Sequence, residues 1–86
     1  MAHDSVETLP YLAFARRIIR KAGERVGDAD EFELAELVSL RVDIEEAIAV
    51  AVRGQKATGR SWTKIGDALG ISRQAVQQRY GEKVSA

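Results

Sequence analysis

The chain has no cysteine, one proline, one histidine and five aromatic residues in 86 positions, and its formal charge sums to zero. Without cysteine it can form neither a disulfide framework nor a thiolate metal site, which suits a cytoplasmic protein. His3, the single histidine, has no cysteine or carboxylate cluster around it and reads as an inert tail residue, so no metal site and no cofactor are expected. No apolar run approaches the roughly 20 residues of a membrane span, and MAHDSVETLP lacks the pattern of a signal peptide. A nucleophile beside a base is missing too. Glu45 and Glu46 are consecutive and therefore point in different directions on a helix, so the acidic residues make a poor acid–base pair. The expectation is a protein without catalysis.

The zero net charge conceals a strong division. Residues 1–26 carry net +2, residues 27–52 net −7 and residues 53–86 net +5. Basic charge thus collects at the C-terminal end, where phosphate contacts would be made. With 45% hydrophobic and 30% charged residues the chain is globular rather than disordered. A domain this small has a marginal core of its own, so association with a second copy would help it.

Hydrophobic spacing predicts an all-α fold of about four helices. Residues 1–8 lack periodicity and read as a flexible N-terminus. Thr8 is a candidate cap with Pro10 in the first turn, and Leu12, Ala15, Ile19, Ala22 and Val26 then share one face of a helix over about 9–26. Arg16, Arg17, Arg20 and Lys21 lie largely off that face, available to phosphates or an anionic membrane surface, or forming a solvated face with an Arg20–Glu24 pair. Gly27-Asp28-Ala29-Asp30 breaks the pattern and supplies caps. A long second helix over about 30–58 follows, with acidic residues in its first turns where the helix dipole favours them. Leu37, Leu40, Ile44, Ile48 and Ala51 form its core or dimer stripe. From Ala47 to Val52 it is apolar all round, which predicts neighbours on several sides, a second subunit among them.

Gly54 to Ser61 comes within one residue of a phosphate-binding loop, but Arg60 stands where the lysine should be and a helix precedes it instead of a strand. Gly54 and Gly59 read as the end of helix 2 and a turn into the last segment.

That segment, residues 59–81, has the spacing of a helix-turn-helix, with residues 82–86 left as a tail. Ser61 caps a short helix in which Ile65 and Leu69 share a face with Trp62. Gly70 ends it in the left-handed conformation, and Ile71 plugs the turn. Ser72 caps a second helix, residues 73–80, whose Val76 and Tyr80 face inward; Gly66 and Ala75 are small enough to let the two helices cross closely. The whole chain reads as one domain, with residues 9–58 as helical scaffold and dimerisation element.

On these residues, SWTKIGDALGISRQAVQQRYG resembles the helix-turn-helix of region 4 of bacterial sigma-70-type factors and is similar to short regulators of actinobacteria and their phages. The likeness covers about a quarter of the chain. It implies a sequence-specific transcriptional regulator, expected to be a repressor, whose second short helix enters the major groove of double-stranded DNA. By position on that helix, Ser72, Arg73, Gln74, Gln77 and Gln78 meet base edges, since arginine forks onto guanine and glutamine pairs with adenine. Arg60, Thr63, Lys64 and Arg79 would hold phosphates, with pairing to Asp67 a second possibility for Arg79. One recognition helix reads few base pairs, so a homodimer on a pseudo-palindrome is expected. The competing expectation is a protein-interaction module bound to RNA polymerase or a toxin, with DNA secondary.

Overall fold

A computed structural model describes the backbone of residues 2–81 and the side chains of residues 7–81. The side chain of His3 and the tail at 82–86 lie outside the described residues. Four helices follow one another without a strand among the described residues: α1 (Ala2–Gly27), α2 (Glu33–Ala57), α3 (Trp62–Leu69) and α4 (Arg73–Tyr80). Packing divides the chain into two compact units, Met1–Arg41 and Val42–Ala86, with α2 running through the division.

In the first unit, α1 begins at Ala2 rather than near Leu9, so Thr8 and Pro10 lie inside the helix and not at its start. A proline removes one intrahelical hydrogen bond and strains the turn before it, but the residues ahead of it can still continue the helix. Glu24 pairs with Lys21 (3.6 Å), not with Arg20, three residues back rather than four. Both side chains are largely exposed, so the pair contributes little. Arg17 lies over the ring of Phe14 at 5.9 Å, which in turn meets Tyr11 at 6.5 Å.

The connection to α2 is tight. Asp28 and Ala29 bond back to the carbonyls of Arg25 and Val26, and the amides of Glu33, Leu34 and Ala35 bond three residues back. The Glu33 carboxylate accepts from the Asp30 N–H (3.2 Å), the returning half of a capping box. That closure fixes the start of α2 three residues after the predicted position.

In the second unit the core is small: Val52 from α2, Ile65 from α3 and Val76 from α4 are buried, with Ile48, Trp62, Ile71 and Tyr80 packed around them. The apolar run Ala47–Val52 is not covered on all sides within one chain. Val52 points into the core and Ile48 is half-buried, but Val50 remains 67% exposed. Gly54 does not end α2; the helix passes through it to Ala57, and the turn comes at Gly59, whose φ of 102° only glycine adopts readily.

The crossing of α3 and α4 depends on Gly66. A Cβ built there would stand 2.8 Å from the Ile71 carbonyl oxygen, 3.1 Å from Val76 Cγ2 and 3.3 Å from the Ser72 carbonyl carbon. The first and last are backbone atoms, which cannot step aside without moving the turn. Gly66→Ala should therefore destabilise the protein by about 1–3 kcal/mol, as overpacking does. Gly54→Ala, where a Cβ meets nothing within 4 Å, should instead stabilise by about 0.5–1 kcal/mol. Urea denaturation of the two variants beside the parent chain checks both signs.

Candidate nucleic-acid interface

The geometry of α3, the turn and α4 follows from two serine caps and one glycine. Ser61, in an extended conformation, accepts from the Lys64 amide at 3.1 Å and starts α3. Gly70, at φ 77° and ψ 25°, stops it, its N–H donating to the carbonyl of Asp67, while the Ile71 N–H returns to Gly66 at 2.9 Å. Ser72 then accepts from the Ala75 amide at 3.0 Å and starts α4 two residues after the turn glycine. With both caps satisfied locally, the entry of α4 is set by the chain itself.

One side of α4 is consumed by packing. Val76 is fully buried, and Ala75 and Tyr80 are half-buried. At about 100° per residue, Arg73, Gln77, Gln74 and Gln78 occupy a continuous arc of roughly 140° on the other side. All four, with Ser72 before them, are exposed. This arc presents one fork of guanidinium donors and three amides, each able to donate and accept. Among the described residues of this unit no hydrogen bond or ion pair engages these four side chains, so their polar ends are available to a ligand.

The predicted phosphate contacts divide. Thr63 and Lys64 stand exposed in the first turn of α3, and Arg79 is exposed in the last turn of α4. Arg79 makes no ion pair with Asp67. Arg60 differs from the rest: its Nη1 donates to the side-chain oxygen of Gln55, and its backbone N–H to the Gln55 carbonyl at 3.1 Å. It is thus tied to the end of α2, and a phosphate would compete with an amide already in place. Over residues 53–81, six basic side chains face a single acidic one, Asp67.

Leu69, which shares a helix face with Ile65, is 41% exposed. It lines an open groove of about 470 Å³ between the end of α2 and α3, together with the apolar Val52, Ile65 and Ala68 and the basic Arg60 and Lys64. Ile48 and Ala51, two of the five α2 stripe residues, line the same groove, so the C-terminal end of that stripe serves this unit. Of the other three, Leu37 and Leu40 are half-buried and Ile44 is 44% exposed.

A cationic and aromatic cleft went unread in the sequence. Arg53, Lys56, Trp62 and Tyr80 line a space of about 380 Å³, with Lys56 Nζ 5.0 Å from the centre of the Trp62 ring. The i,i+3 spacing of Arg53 and Lys56 was the available signal. Trp62 is half-buried against the core, as expected of it.

No protein-family model, curated protein or solved structure matches the chain.

The caps generate a test. Ser72→Ala leaves the Ala75 amide without its partner and should cost about 1 kcal/mol. Ser72→Asp, which restores an acceptor, should recover most of it. Thermal melts followed by circular dichroism measure both.

Proposed function

We propose that the chain is a sequence-specific, double-stranded DNA-binding regulator that reads the major groove with α4. The observation that carries this is the exposed Arg73–Gln74–Gln77–Gln78 arc on a helix whose opposite side is locked by Val76 against Gly66. Lysine and glutamate are the ordinary residues of a helix face that meets only water, whereas arginine and glutamine can form bidentate bonds with guanine and adenine. Ser72 caps the helix and meets phosphate beside the free amides of its first turn. Thr63, Lys64 and Arg79 hold the backbone and set register, with Arg60 joining them after release from Gln55.

An eight-residue helix spans about 12 Å and touches only a few base pairs. Two copies on a pseudo-palindrome, with half-sites about 10 base pairs or a multiple apart, extend the address. Repression by occupying a promoter requires nothing beyond binding, and it is the mode we assign. Neither a cofactor nor catalysis enters this reading. Its place is the cytoplasm; no helix among the described residues is long and apolar enough to cross a membrane.

One observation favours a second reading. The open groove beside Leu69, lined by apolar residues and by Arg60 and Lys64, would take an acidic amphipathic helix of RNA polymerase or a toxin. A stable heteromeric complex that survives high salt would favour it over DNA binding, which weakens steeply as salt rises.

The decisive experiment sequences genomic fragments retained by the purified protein and by an Arg73→Ala/Gln74→Ala variant. A shared palindromic motif with the parent chain, lost in the variant, is the expected outcome. Equal enrichment with both would refute base reading by α4. On the recovered site, Lys64→Ala should weaken all sequences alike and lower the log–log salt slope by about 1, measured by fluorescence anisotropy.

A further inference from the structure

The first unit carries apolar surface in excess of what it covers. Of the thirteen large hydrophobic side chains left exposed among the described residues, nine lie between Leu9 and Val38, and Tyr11 and Phe32 are each 70% exposed. On α1, Phe14, Ile18 and Tyr11 extend the stripe of Ala15, Ala22 and Val26 into an apolar arc of at least about 120°, wider than the roughly 100° of a helix with one apolar neighbour. The first turns of α2 carry two apolar faces. Leu37 and Leu40 form one and are half-buried; Leu34 and Val38, 54% and 51% exposed, form another. The two are separated by about 110° at 100° per residue. A helix with two such faces needs two neighbours.

Charge identifies the occupant. The described side chains of α1 include Arg16, Arg17, Arg20, Lys21 and Arg25 against Glu7 and Glu24, whereas residues 28–41 include five acidic side chains against Arg41. No ion pair joins α1 to residues 28–41 among the described residues; Lys21 pairs within its own helix. A basic apolar helix followed by an acidic apolar helix is complementary to itself. A twofold axis sets α1 of each copy beside α2 of the other, and satisfies both contacts at once. DNA and anionic lipid would both be repelled by the acidic half.

We propose that the first unit is the pairing element of a homodimer, in which the Tyr11–Phe14–Ile18 face of α1 packs on the Leu34–Val38 face of α2 in the second copy. Opposite net charge, basic on α1 and acidic over residues 28–41, selects that partner. The inference deepens the twofold reading above by naming its interface, and it is tested without DNA, so it can fail while α4 still reads bases, and the reverse.

The experiment uses the full chain and two charge-reversed variants, Arg17→Glu/Lys21→Glu and Glu31→Lys/Glu45→Lys, Glu45 standing on the Leu34–Val38 face of α2. Mass is measured by light scattering across a concentration series, and helicity is checked by circular dichroism. The parent chain should show twice its 9.4 kDa mass at micromolar concentration. Each variant alone should dissociate at least about tenfold more readily, since like charges then meet across the axis. An equimolar mixture should recover the dimer mass, because α1 and α2 of one variant match α2 and α1 of the other, and salt should erode the recovery. A monomeric parent chain overturns the proposal. So do variants that dimerise like the parent, and so does a mixture no tighter than its components, which would place the charge pairing within one chain.

Discussion

The C-terminal unit depends on how closely two backbones approach at Gly66. Val76 is fully buried because α3 offers it a surface without a Cβ, and the Ile71 carbonyl oxygen approaches through the same gap. From that crossing the orientation of α4 follows, and from the orientation follows which of its side chains are spent on packing. The chemistry displayed to the outside is what remains. Replacing exposed residues of α4 would change what is displayed and leave the display itself in place.

The core behind this arrangement is thin. Among the described residues three side chains are buried, each contributing on the order of 1.5–3 kcal/mol of transfer free energy. Capping, the αL turn at Gly70 and the half-buried ring of Trp62 supply rigidity that a larger domain would draw from its interior. The first unit buries still less, and its exposed apolar residues are spaced as helix faces, not scattered singly. Chains of this size commonly complete their cores by association.

Much of this was legible in the sequence because it is local. Ser61, Gly70 and Ser72 act on amides and carbonyls within four residues of themselves, so the bounds of α3 and α4 could be read from residue types alone. The all-helical class and the two longer helices were equally open to periodicity. The misreadings have non-local or competing causes. Gly54 and Gly59 together mark the end of α2 in the sequence; a glycine within a helix costs only about 1 kcal/mol, and the stop is made at Gly59 by its positive φ. Pro10 marked a first turn on general preference, and the helix runs on before it. Leu69 shares a sequence face with Ile65, but the groove beside it is decided by where α2 ends, which spacing in α3 cannot tell. The tie between Arg60 and Gln55 spans a turn and was invisible for the same reason. For the polar arc of α4, the residue types and their common face were readable, whereas the absence of a partner among the described residues needed coordinates.

The core residues of the second unit, Val52, Ile65 and Val76, stand close together along the chain, and the bond from Ile71 to Gly66 closes a shorter loop still. Closing loops of about ten residues takes on the order of 10–100 ns, and domains held by such local contacts fold in microseconds to milliseconds. The small core thus has a kinetic counterpart. Little chain entropy stands between the open form of such a unit and the closed one.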